Sequence, residues 1–199
     1  MKSWVTVCFL TFCLSCKADE HKKYDILVAG IKIGELKASK TTLDSVTSYS
    51  IVSAVNFWFF VRVKVNYSIT SNYKNGKLIS SFVDTKSTKG DFKSSVIWQE
   101  NHYKVQVDTY QYKKDTVLTS PIYFNVARLY FDEPDKVKNL LADSYGQIAP
   151  SEKLDANVYQ VTVTGNANRY YYHQGEMEKA VMHNPIKNFE IRRKSKNDD

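Results

Sequence analysis

The chain has 199 residues, 43% apolar and 14% aromatic, with 14 Tyr and 10 Phe against only 7 Gly and 4 Pro. That size and composition exclude a disordered or collagen-like chain and predict one strand-rich domain able to bury its own core. A formal charge of +7 fits nucleic acid, anionic lipid or acidic polysaccharide, and equally a solvated basic surface with no such partner. The lysines are spread along the chain, and the dense basic cluster is Arg192, Arg193, Lys194 and Lys196. All three cysteines, Cys8, Cys13 and Cys16, lie near the N-terminus, which leaves the body without a disulfide, a thiolate metal site or a cysteine nucleophile.

Lys2 followed by the apolar run Trp4 to Leu14 has the charge and length of a signal peptide and is too short for a membrane span. The run ends Cys13-Leu14-Ser15-Cys16 before Lys17-Ala18-Asp19-Glu20, which resembles a bacterial lipobox with Cys16 as the lipidated residue. Cys13 stands where Leu is commoner, and an ordinary signal peptide or a buried N-terminal strand are the competing readings. The expected organisation is a signal peptide at 1–15, a lipidated N-terminus and tether at 16–22, a single β-rich domain at 23–194 and a polar tail at 195–199.

Alternation of apolar and polar residues then predicts strands in order. Tyr24, Ile26 and Val28 carry the first. The second shifts phase from Ile31 and Ile33 to Leu36 and Ala38, which places a bulge or bend at Gly34. Tyr49, Ile51, Ser53 and Val55 lead into Asn56-Phe57-Trp58-Phe59-Phe60, and Val61 to Ile69 is the clearest half-buried strand. Asn75-Gly76 is a hairpin signal, followed by strands over Leu78–Val83, Ser95–Gln99 and Tyr103–Thr109. After an irregular stretch, Tyr159–Val163, Asn168–His173, Glu176–His183 and Asn188–Arg193 complete a meander, with turns at Gln174-Gly175 and Asn184-Pro185.

Between these halves the period changes. In Ser120 to Pro134 the polar residues Asn125, Arg128 and Asp132 recur at spacings of three and four among apolar neighbours, which predicts a mostly buried helix over Pro121–Phe131 with Ser120 as its N-cap. A second short helix is expected over Asp135–Ala142. The predicted fold is therefore mainly β: a curved antiparallel sheet, a half-barrel of about ten strands around one or two short helices.

No motif for metal, phosphate or nucleophilic chemistry is present. His21, His102, His173 and His183 have no ligand spacing, and Gly30 to Gly34 lacks the helix a phosphate loop requires. Arg128 has two readings: a guanidinium in an aromatic concavity that holds a carboxylate or phosphate, or a structural arginine paired within the core. Trp58 and Phe59 are either an apolar rim or packing at a bend of the sheet. With Tyr123 and Tyr130 of the inner segment they make up the candidate ligand-binding set.

Four stretches carry a family resemblance: Tyr24 to Glu35, Tyr73 to Leu78, Ile122 to Pro134 and Asn168 to Gly175. In that order they resemble an uncharacterised family of exported β-rich domains of Gram-negative bacteria, often lipoproteins, itself similar to carriers of the LolA/LolB type. The resemblance implies a curved sheet around helices and an apolar cavity, and it supplies no catalytic residue. The expected function is a non-catalytic envelope lipoprotein, facing the periplasm or cell surface, that binds a lipid or acyl chain in the concave face without metal or cofactor. Its membrane partner is reached through the anchor. The alternative is an assembly module docking another envelope protein; export argues against nucleic acid.

Overall fold

A computed structural model describes residues 18–59, 61–183 and 188–195. The expected signal peptide, Cys16 and the Asn184-Pro185 turn lie outside them. Among the described residues there are fourteen strands: β1 (Ala18–Val28), β2 (Ile31–Leu43), β3 (Val46–Phe59), β4 (Val61–Lys74), β5 (Lys77–Ser87), β6 (Phe92–Gln99) and β7 (His102–Asp108), then β8 (Lys113–Leu118), β9 (Asn139–Ala142), β10 (Gln147–Asp155), β11 (Val158–Val163), β12 (Asn166–His173), β13 (Glu176–Met182) and β14 (Phe189–Arg193). They form one antiparallel sheet in the order β8-β7-β6-β5-β4-β3-β2-β1-β14-β13-β12-β11-β10-β9, open between β8 and β9.

The alternation read from the sequence is the burial pattern. Tyr103, Val105 and Val107 of β7 are buried while Gln106 and Asp108 face out. Asn75 and Gly76 both take positive φ, as a two-residue hairpin needs. The expected bend at Gly34 is a bulge: Ile26 pairs with Gly34 and Leu27 with Lys32, leaving Ile33 as the extra residue. The strand count of about ten is corrected to fourteen, because β8, β9 and β10 have no readable alternation. β8 is a charged end strand, and β10 carries Pro150, a residue that argues against a strand.

The inner segment, residues 119–138, connects β8 to β9 and runs through the concave side. The α-helix expected there is absent. Ile122 and Phe124 are buried and Tyr123 exposed, an extended alternation, and only Val126–Tyr130 turns as a 3-10 helix. Its N-cap is Asn125, whose side chain accepts from the Arg128 N–H; Ser120 is not the cap. The reason lies in the partners of the backbone. The Ile122 and Phe124 carbonyls accept from the Leu78 and Leu141 N–H groups, and the Ile122 N–H donates to the Tyr103 hydroxyl. Tyrosine hydroxyls take others: Tyr24 donates to the Tyr130 carbonyl at 3.2 Å and Tyr172 to the Leu129 carbonyl at 2.7 Å. With these groups paired to the sheet, nothing is gained by an α-helical ladder.

The same contacts show the curl. Tyr24 of β1, Tyr49 of β3 and Tyr172 of β12 all reach the single turn Val126–Phe131, although four strands lie between β3 and β12 in the sheet order. The second expected helix is likewise corrected: Asn139–Ala142 is β9, with Leu140, Leu141 and Ala142 all buried. A short strand buried on both faces gives no period to read. A second 3-10 turn, Asp143–Tyr145, follows it. Finally, β1 begins at Ala18, so the expected tether is strand from that residue onward.

Candidate functional site

Two polar centres and one groove are built on the inner segment. The first centre surrounds Arg128. Its Nε and a terminal nitrogen each lie 2.8 Å from Asp132 Oδ2, and its other terminal nitrogen donates to the Tyr123 carbonyl at 2.5 Å. The guanidinium packs against the rings of Phe124, Tyr73 and Tyr49, with centroids 4.7, 5.3 and 5.7 Å away. Lys40 Nζ, at 3.1 Å, and the Tyr49 hydroxyl, at 3.1 Å, complete the shell of Asp132. Burial opposes ionisation of Asp132, but the Arg128 and Lys40 charges outweigh it and hold the carboxyl below its ordinary range. Of the two readings of Arg128, the structural pairing is the one observed.

The second centre is buried. Asp143 accepts from the Ser81 hydroxyl at 2.6 Å, the Asn125 amide at 2.8 Å and the Val126 N–H at 3.2 Å. Asn125 also donates to Ser71 at 2.7 Å, and Ser94 donates to the Asp143 carbonyl at 2.7 Å. No cation among the described residues pairs with this carboxylate, and burial pushes its pKa up to about 6 despite the hydrogen bonds. The network holds the turn at Asn125 against β4, β5 and β6. The sequence reading missed Asp143, yet a signal existed. Ser71, Ser81 and Ser94 occupy core-facing positions on three neighbouring strands, where hydroxyls need a shared polar partner.

The groove, about 770 Å³, lies at the seam where the sheet stays open. Val117 and Leu118 at the end of β8 form one wall, Val137, Leu140 and Ile148 the other, and Ile122 with Phe124 the floor. Arg128, Lys136 and Lys138 also line it, and no carboxylate does. A second concavity on the outer face of β4–β8 carries Asp84, Asp108 and Asp115 with Lys93, Lys113 and Lys114 around Phe82, and Lys113 pairs with Asp108 at 3.0 Å. It has no net preference for an ion.

The structure brings together Arg128 and Tyr123, both on the groove, with Tyr123 59% exposed. Tyr130 does not face a ligand space; it is buried edge-on to Tyr24, with centroids 5.5 Å apart. Trp58 is neither packed at a bend nor near Arg128. It is 75% exposed, and from Tyr49, which touches Arg128, to Trp58 along β3 is about 30 Å at about 3.3 Å per residue. The Phe59 side chain and Cys16 lie outside what is described. No group of three or more His, Cys, Asp and Glu side chains suited to a metal occurs among the described residues. The C-terminal basic cluster is largely neutralised in place: Arg192 pairs with Glu190, Arg193 with Glu176, and Lys194 with Glu35.

The architecture is similar to that of a solved protein from Brucella abortus, described as a beta-barrel-like protein of the domain of unknown function DUF1849. The TM-score is 0.51 at 8% identity, covering 92% of this chain and 98% of that one, so the likeness is one of fold. No curated protein matches the chain. A family model does match, over residues 24–194, a span that takes in the sheet from within β1 to the end of β14 and with it both polar centres and the groove. The chain belongs to that family, DUF6134, a domain of unknown function.

Proposed function

We propose that this chain is a non-catalytic lipoprotein of the cell envelope whose seam groove holds one amphipathic anion, an acyl chain with a carboxylate or phosphate head. The inner segment fills the concave side with Ile122, Phe124, Leu129 and Phe131, which moves the ligand from the concave face to the seam. The observation that carries the reading is the lining of that groove: apolar walls with Lys136 and Lys138 at hand and no carboxylate. Its volume falls in the range of small-molecule sites, and exposed lysines beside apolar walls suit an anionic head over a hydrocarbon tail. The envelope address rests on Lys2, the run Trp4–Leu14 and Ser15-Cys16.

The test is displacement of a fluorescent fatty acid from the full-length chain by oleate and by lysophosphatidylglycerol, which distinguishes carboxylate from phosphate heads. Lys136→Glu combined with Lys138→Glu should weaken binding by about tenfold or more, the scale of lost charge-assisted contacts. Unchanged affinity in a variant with unaltered melting removes the proposal. A second reading has its own observation: among the described residues β8 ends the sheet with its outer edge unpaired and Val117 exposed, the arrangement that accepts an added strand from another protein. A photo-cross-linker at Val117 in intact cells would capture such a partner.

A further inference from the structure

The β3–β4 pair outruns its neighbours. The β2 ladder on β3 ends at Gly34↔Val55, and the β5 ladder on β4 ends at Val65↔Ser87. β3 and β4 continue through Asn56↔Lys64, Phe57↔Val63, Trp58↔Arg62 and Phe59↔Val61, with Thr88 beyond β5 still donating its N–H to the Lys64 carbonyl at the base. This is a two-stranded arm about 14 Å long at about 3.4 Å per residue, with no strand on either side among the described residues. The bulge at Gly34 falls where the β2 ladder on β3 ends.

A ribbon of this kind is marginal in water, and its sequence does not suit exposure. Val55-Asn-Phe-Trp-Phe-Phe-Val-Arg-Val-Lys-Val65 is mostly apolar and holds two cations and no carboxylate. Trp58 stands 75% exposed directly opposite Arg62, and the exposed Asn56 stands opposite the exposed Lys64. Phe57 and Val63 are only half-buried and do not join the hydrophobic core. Ile31, 70% exposed, tips the β1–β2 turn at the same end of the sheet.

From this geometry we infer that the arm is a membrane-contacting element that places Trp58 in the interface of an anionic bilayer, with Arg62 and Lys64 on its headgroups. An indole belongs at the depth where one side is apolar and the other wet. Cations without compensating acids favour an anionic surface over a zwitterionic one. Ala18 opens β1 at the opposite end of the sheet, so an anchor at the N-terminus and contact by the arm are separable events. The inference does not depend on the ligand proposed for the groove.

The test uses the full-length chain carrying Trp4→Phe and Trp98→Phe, which leaves Trp58 as its sole indole, bound to vesicles and checked by flotation. On phosphatidylglycerol-rich vesicles the Trp58 emission should shift to the blue and be quenched several-fold by brominated acyl chains. Pure phosphatidylcholine should give little of either. Arg62→Gln with Lys64→Gln should abolish the difference between the two lipids while melting stays the same. Unquenched emission on vesicles that do float the protein overturns the inference, because an anchor elsewhere then accounts for the association. Cross-linking from position 58 to a protein in cells, with no lipid quenching, overturns it in favour of a protein partner.

Discussion

At the scale of single residues the informative group is Asp143. Its ordinary pKa of 3.8 is pushed up to about 6 by burial, so between those values the folded chain holds a proton that the unfolded chain has released. Stability therefore falls as pH rises from about 4 to about 6, and the loss above that window is on the order of 3 kcal/mol. Asp132 and Glu176 are shifted downward and act in the opposite sense, stabilising above the ordinary carboxylate range and losing that as the pH falls. The clean readout is a comparison by urea unfolding across this window. Asp143→Asn should lose much of the negative slope, and an unaltered slope would assign the titration to another group. Arg128 shows how far one residue was legible. Its spacing from Asp132 places the two together on one turn, but that the pair is closed by Lys40 and Tyr49 depends on strands far away in sequence.

Among the elements, β2 shows a local signal that survived folding. The phase change from Ile33 to Leu36 marked a bulge, and the structure gives its cause. A Cβ built on Gly34 would come within 2.3 Å of the Ala54 carbonyl oxygen, a backbone atom that cannot swing away. Gly34→Ala should cost about 2 kcal/mol, typical of overpacking. It should also raise amide exchange in β3 near Val55, at the base of the arm, as measured by hydrogen exchange; unchanged protection there would mean that the ladder relaxes freely. The inner segment is the opposite case. Arg128 and Asp132 do pair at and just after one short turn, but Asn125 caps that turn and belongs to the Asp143 centre, so the three do not form the one stripe that the pattern predicts. The pattern carried no sign that the preceding carbonyls would be taken by Leu78 and Leu141 N–H groups, and so a short turn read as a long helix.

For the molecule as a whole, Leu129 tests whether the inner segment organises the sheet. It is fully buried, and its carbonyl holds Tyr172 of β12 while the nearby Phe131 packs at a tilt on Tyr49 of β3. Leu129→Ala should cost about 3–4 kcal/mol, the range for a core leucine left with a partial cavity. The loss should appear as one cooperative transition, with near-UV and far-UV circular dichroism coincident; separated transitions would show the two halves of the sheet folding independently.

The sequence by itself determined which faces of the meandering strands turn inward, where most hairpins turn and where β2 bends, because a period of two and the φ demands of Asn-Gly are properties of neighbouring residues. It also carried the apolar run Trp4–Leu14 ahead of Ser15-Cys16, from which the envelope address is proposed, and the composition of the arm. Only the tertiary structure decided that β1 pairs with β14, that the seam stays open between β8 and β9, that the inner segment is mostly extended, and that Asp143 with Asn125 links three serine-bearing strands. These features join residues far apart along the chain. Their free energy comes from hydrogen-bond partners and apolar surfaces that no local pattern records.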